Sequence, residues 1–221
     1  MKGPEEQDEI RTFQSEKVSG FAFVESGIVA FYQKTYERIF WDLDHAESEL
    51  SGNRIDFANL IHCAAHLRLV LERVTTASFI ASYSLFEEAQ QSVTAAKDFG
   101  EVRKKLKRLN SHYWPVAFGE VAYQGRTGLG VMPDTGFQEE MLGKTWGDLS
   151  SLLHAPNPFK ATPSDPEETL EMLSQLTSSL KLLLQSHIVQ LAESNEFFYL
   201  RRLSRNEIRV QAIKTDSPLL K

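Results

Sequence analysis

Three histidines and two acidic residues fall close together in the first third of the chain. Asp42, His45 and Glu49 follow an i, i+3, i+7 spacing, and His62 and His66 follow i, i+4. If each set lies on a helix, the spacing puts its members on one face. His45 lies six residues before Ser51 and His62 eight after Arg54, so an antiparallel helix pair sets the imidazoles at nearly the same height. Imidazoles and carboxylates converging there would suit Zn²⁺ or another divalent ion, and a metal-dependent helical-bundle enzyme using His45, His62 and His66 is one reading. The other is a solvated or interface-facing polar stripe, because His62 and His66 sit opposite the main apolar stripe of their segment and His45 lies off its own. No Glu-x-x-His motif of the di-iron bundles is present, the nearest approach being DLDH at Asp42 to His45. Arg38, one turn before Asp42, can also claim that carboxylate as an ion pair.

A second chemistry is charge. RKKLKR places Arg103, Lys104, Lys105, Lys107 and Arg108, five positive charges in six positions, within a chain of formal net charge −6. Such a chain has no global positive field, so RNA binding has to use a local patch of this kind. Arg201, Arg202, Arg205 and Arg209 would extend it, with Tyr113 and Trp114 available to stack on bases. The plainer reading is a solvated charged face. The glycine-rich stretch over 119–136 is not a phosphate loop, since the full G-x-x-x-x-G-K-S/T pattern is not matched and no strand clearly precedes it. Cys63, the one cysteine, stands in apolar LIHCAAH, which excludes an intramolecular disulfide framework and a cysteine-cluster metal site.

These residues need elements to hold them. Phe21, Val24, Ile28, Tyr32, Ile39, Leu43 and Leu50 share a narrow arc at helical spacing, predicting a long helix that SGNR breaks. Asp56 is placed to cap a second helix, with its main stripe at Phe57, Leu60, Ile61, Ala64, Leu67, Leu71 and Val74. Leu69, Val70 and Ile80 lie off that stripe, so this helix is expected to be central and covered on two sides. A basic helix over EVRKKLKRLN follows, then the glycine-rich stretch as a loop or small irregular hairpin. FQEEMLGKTWGDLSSLLH reads as one helix or two short ones, stopped before Pro156, Pro158 and Pro163. Asp165 and Pro166 open a last long helix running through Asn195, and FFYLRRL and EIRVQAI form a β-hairpin across SRN. The expected fold is all-α, a four- to five-helix up-and-down bundle over 1–195, with a C-terminal β-hairpin and tail over 196–221. The aromatics Phe21, Phe23, Phe31, Tyr32, Tyr36, Phe40 and Trp41 wrap more than one face of the first helix, and the excess suits a homodimer interface. The acidic start without an apolar signal region, and the lack of a long uncharged apolar run, predict a cytoplasmic protein with no membrane contact.

HLRLVLERV at 66–74, followed some eighty residues later by WGDLSSLLHAPNP and another long helix, resembles the HEPN superfamily of helical-bundle proteins, many of them from prokaryotic toxin-antitoxin and abortive-infection systems. The resemblance covers roughly residues 20 to 195. It implies a four-helix bundle that dimerises and, in active members, a metal-independent endoribonuclease needing no cofactor, with an arginine a few positions before a histidine near the start of the last core helix. His154 falls at the histidine position, but Gly147, Asp148, Leu149 and Ser150 occupy the window where the arginine is expected. Cleavage through the 2′-hydroxyl needs a base and a cation for the charged phosphate. On this reading His154 is general base or acid, Arg68 or a residue from elsewhere holds the phosphate, and Glu72 organises the groove. Otherwise His154 caps a helix end, Arg68 and Glu72 form an intrahelical ion pair, and the chain is a non-catalytic interaction module for RNA or for a protein partner of the same system.

Overall fold

The computed structural model describes residues 26–52, 54–82, 99–123, 126–132, 135–154, 165–191, 195–215 and 220. Phe21 and Val24 of the expected first stripe, Phe23 of the expected interface aromatics, and Pro156, Pro158 and Pro163 lie outside the described residues. The helices are α1 (Ser26–Leu50), α2 (Phe57–Ala81), α3 (Phe99–Leu109), α4 (Leu142–Leu153) and α5 (Pro166–Gln185), with a 3-10 turn at Glu139–Met141 leading into α4. The strands are β1 (Val116–Tyr123), β2 (Arg126–Val131), β3 (Ser186–Gln190), β4 (Glu196–Ser204) and β5 (Glu207–Lys214). They form one antiparallel sheet in the order β2-β1-β3-β4-β5. The fold is therefore α+β. The expected all-α bundle is wrong, and the C-terminal hairpin is the outer pair of a five-stranded sheet.

Local chemistry explains the elements. Asp56 caps α2 by accepting the backbone N–H groups of Ala58 and Asn59, while the Asn59 side chain accepts the Asp56 N–H in return. Asp165 accepts the Glu167 N–H at 2.8 Å, and Pro166 fills the first turn of α5, where a missing N–H costs nothing. α2 is central: Leu67, Val70, Leu71, Val74 and Ile80 are all buried, although Leu69 faces out. The helix expected to run through Asn195 instead stops at Gln185. Leu180, Leu184, Ile188 and Leu191 keep an i, i+4, i+8, i+11 pattern, which imitates a continuing helix. Ser186 turns extended, and the His187 ring donates from Nδ1 to the Leu184 carbonyl at 2.9 Å, taking one of the acceptors a helix end leaves open. β3 then pairs on both sides, with β1 and β4, which suits its β-branched Ile188 and Val189.

The glycine-rich stretch forms the β1–β2 hairpin. Gly119 stands opposite Gly130, where an added Cβ would lie 2.8 Å from a methyl of Val121, so a side chain is excluded at Gly130 by its neighbour strand.

The main core lies between the helices and one face of the sheet, where Tyr32, Ile39, Leu43, Leu67 and Leu180 meet Val189, Phe198 and Leu200. On the other face Phe118, Ile188, Phe197 and Tyr199 form a smaller cluster, so β4 is buried on both sides at its start. Tyr32 joins the layers: its hydroxyl donates to His187 Nε2 at 3.2 Å, with Tyr36 packed against the same imidazole. Burial pushes the His187 imidazole down to about 4, the carbonyl of Leu184 opposing this only partly.

Because His187 binds a proton more readily when unfolded, stability should be complete above pH 6.5 and fall as the pH drops from 6.5 towards 4, by about 3 kcal/mol from this residue. Urea titrations across that range should show the slope, and His187→Gln should flatten it; an unchanged slope in the variant contradicts the assignment. Cys63 is fully buried and its thiol is pushed up to about 12, chiefly by burial. It should resist a thiol reagent in the native state and react once on unfolding in denaturant; rapid native labelling would count against the packing described.

Candidate functional site

α1 and α2 run antiparallel, and the register that sets His45 level with His62 also sets Asp42 level with His66. Asp42 is completely buried and ion-pairs with Arg73, two turns beyond His66 on the same face of α2. His66 donates from Nδ1 to the other Asp42 oxygen at 3.1 Å. Burial, and after it the charge of His45, hold the His66 imidazole below its ordinary value, so at neutral pH it meets Asp42 as a neutral donor. Above this pair lies Trp41, 42% exposed. The Arg38 guanidinium lies 4.2 Å from its ring centre, the His45 ring packs on it at a tilt with the centres 3.7 Å apart, and the His66 ring meets it edge-on at 5.6 Å. Arg38 therefore serves Trp41 rather than Asp42.

The histidine cluster is thus brought together, with the His45 and His66 ring centres 5.4 Å apart. Its nitrogens do not converge. His45 Nδ1 is turned to the Trp41 carbonyl at 2.7 Å, His66 Nδ1 to Asp42 and His62 Nδ1 to Glu49 at 3.6 Å. Among the described residues no three His, Cys, Asp or Glu side chains are arranged to hold a metal ion.

The two segments that carry the HEPN resemblance pack against each other. Arg68 Nε and Trp146 Nε1 both donate to Glu72 Oε1 at 3.0 Å, and the Arg68 guanidinium lies 4.5 Å from the Trp146 ring centre. Arg68 and Glu72 are therefore cross-braced by α4. His154 follows that helix as its exposed C-cap, its backbone N–H donating to the Ser150 carbonyl at 3.2 Å. It stands eight residues past Trp146, about 12 Å along the axis, and no described residue pairs with its ring. The structure does not join His154 to Arg68 and Glu72.

The basic helix is only partly open. Arg103 and Lys107 turn to Glu139, at 3.0 and 2.7 Å, and the Tyr113 hydroxyl donates to the same carboxylate at 2.7 Å. Burial alone would raise the Glu139 carboxyl, but Lys107, Tyr113 and Arg103 together hold it below its ordinary value. Lys104 and Arg108 are exposed and Lys105 is half-buried. Tyr113 and Trp114 are buried, so neither offers the stacking face expected of them. Three of the hairpin arginines are spent on carboxylates of their own, and Arg201 is exposed. Arg202 forks onto Asp44 of α1 at 2.9 and 2.7 Å, Arg205 reaches the same carboxylate at 3.2 Å, and Arg209 pairs with Glu207.

No family model, curated protein or solved structure matches the chain. Arg73 and Asp44 were not singled out from the sequence. Arg73 had a legible signal, its i+7 spacing from His66; Asp44 had none, since its partner lies 158 residues away.

Replacing Asp42 with Asn leaves Arg73 without its counter-charge, and should cost about 2–3 kcal/mol in chemical denaturation, discounted because Arg73 reaches water. A loss below about 0.5 kcal/mol, the range of ordinary surface changes, would show that the pair does not hold α1 on α2.

Proposed function

We propose that this protein binds single-stranded RNA on the α1–α2 face, as a non-cleaving, HEPN-like module of a bacterial defence or toxin-antitoxin system, acting in the cytoplasm. The observation that carries this is Trp41, an indole left 42% exposed in the middle of a face that also presents Arg38, His45, His62, His66 and Arg73. Single strands are held by bases stacked on aromatic rings with cations following the backbone, and each stacked base is worth about 1–3 kcal/mol. Trp41 supplies a ring held in orientation by its neighbours, and because Arg38 and His45 lie over its two faces, a base stacks there by displacing one of them. Arg38 supplies positive charge beside it, while the charge of Arg73 is answered by Asp42.

Binding without cleavage fits the same side chains. The cation nearest in sequence logic to a phosphate holder, Arg68, is committed to Glu72 and Trp146, and His154 stands at a helix end with no described cation paired to it. The two segments that resemble the HEPN superfamily pack on each other, while β1, β2 and β3 fall within the stretch the resemblance covers, so the likeness is to the helical part alone.

Fluorescence anisotropy with a labelled single-stranded RNA should report binding that weakens with salt and weakens about tenfold in Trp41→Ala, the loss of one stacked base. Arg38→Ala should weaken it as well, while Lys104→Ala and His154→Ala leave it unchanged, and gels should show intact RNA with or without EDTA. Equal affinity of the wild type and Trp41→Ala, or cleavage that His154→Ala abolishes, would overturn the proposal.

A further inference from the structure

α1 has a second polar flank. Between α1, α5 and the β4–β5 turn lies a groove of about 530 Å³, which no residue singled out for chemistry in the first half of the chain predicts. Phe40 and Leu203 contribute apolar surface, and Ser48, Ser204 and Gln185 contribute uncharged donors, the Ser51 hydroxyl being spent on the Glu47 carbonyl. Its charged lining comprises Asp44, Glu47, Lys181, Arg202 and Arg205, a surplus of one positive charge. The carboxylates are already answered. Burial would raise the Asp44 carboxyl, but Arg202 and then Arg205 outweigh it and hold Asp44 ionised below its ordinary value. Glu47 accepts from Lys181 at 2.5 Å.

The cations are not equally committed. Arg202 is fully engaged, with both terminal nitrogens on Asp44, further bonds to the Ser204 and Arg205 carbonyls, and its guanidinium 4.6 Å from the Phe40 ring centre. It builds the groove wall. Arg205 lines the groove, spends only Nε on Asp44 and is 75% exposed, so its two terminal nitrogens remain available to a ligand. Lys181 has three N–H donors and one carboxylate partner. A planar fork, an ammonium and neutral donors around one cavity match a group with three charged oxygens.

The groove also adjoins the RNA-binding face. Asp44 and Ser48 follow Trp41 by three and seven residues, so they share its side of α1, with Ser48 about 10 Å further along the axis.

We propose that this groove binds the terminal phosphomonoester of the RNA strand that stacks on Trp41, with Arg205 and Lys181 as its charged contacts and Ser48, Ser204 and Gln185 as neutral donors. The proposal rests on the RNA-binding reading for the identity of the strand, but the phosphate site is testable without it. A terminal phosphomonoester is close to a dianion at neutral pH, whereas an internal phosphate carries one charge, so the groove distinguishes an end from the middle of a strand.

The test uses the full chain and one short single-stranded RNA in three forms, bearing a 5′-phosphate, a 3′-phosphate or hydroxyls at both ends, with a nucleoside monophosphate and inorganic phosphate titrated separately by calorimetry. One phosphorylated form should bind about tenfold more tightly than the hydroxyl form. Arg205→Ala and Lys181→Ala should each shrink that difference and leave the affinity of the hydroxyl form as it was. Equal affinity of all three forms, or a difference that survives both substitutions together, overturns the proposal. If no RNA form binds, the Trp41 reading fails by itself, and the groove is then judged by the nucleoside monophosphate. Binding that Trp41→Ala retains and Arg205→Ala loses supports a phosphomonoester site. Absence of that binding, or inorganic phosphate matching the monophosphate and ignoring Arg205→Ala, overturns it.

Discussion

A carboxylate with no surface in water has to be paired, and the way Asp42 is paired determines how α1 lies on α2. Arg73 takes one oxygen and His66 the other, both from α2. A buried ion pair adds little net stability, because desolvation cancels most of the attraction, but breaking it leaves a charge stranded. Its effect is therefore positional. A slip of α1 by one residue would carry Asp42 away from both partners, so the pair fixes the height at which Trp41 and His45 emerge, one residue before Asp42 and three after it.

The same helix makes two further long-range attachments. Tyr32 donates to the His187 imidazole and so ties α1 to the central strand, and Asp44 receives the Arg202 fork and so ties it to the β4–β5 turn. Tyr32, Asp42 and Asp44 face three different neighbours, and the surface they leave over is the Trp41 face and the groove beside it. The polar groups that hold α1 and the polar groups available to a ligand are thus interleaved along one helix. That arrangement explains why the site sits on a rigid helix rather than on a loop, where precise placement of a stacking ring would be harder to maintain.

Much of the helical layer could be read from the sequence, because periodic apolar residues and caps such as Asp56 and Asp165 act locally. The sheet was less legible for identifiable reasons. SHIVQL continues the apolar spacing of α5, so only the tertiary pairing of β3 on both edges reveals it as a strand. In β1 and β2, glycines that usually mark loops instead allow close strand contact, as at Gly119 and Gly130. For the site, the common height of His45, His62 and His66 followed from hairpin register. What the imidazoles do there did not: ring packing and the direction of each Nδ1 depend on Trp41, Asp42 and Glu49 together. RKKLKR looked like the basic patch, yet two of its members are spent on Glu139, a residue thirty-odd positions away whose burial no local pattern shows.

Two surfaces are candidates for the proposed RNA binding, and they differ in kind. The α3 face has exposed Lys104 and Arg108 but, among the described residues, no exposed aromatic beside them, since Tyr113 and Trp114 are buried. The α1–α2 face has fewer lysines but a ring in place, and for single strands the ring supplies the base contact that charge alone lacks. Ultraviolet cross-linking of the full chain to single-stranded RNA, followed by mass spectrometric mapping of the adducts, separates the two directly. Adducts concentrated on the Arg38–His45 stretch of α1 are the predicted result. Adducts confined to Arg103–Arg108, or to the end of α4 around His154, would contradict the account.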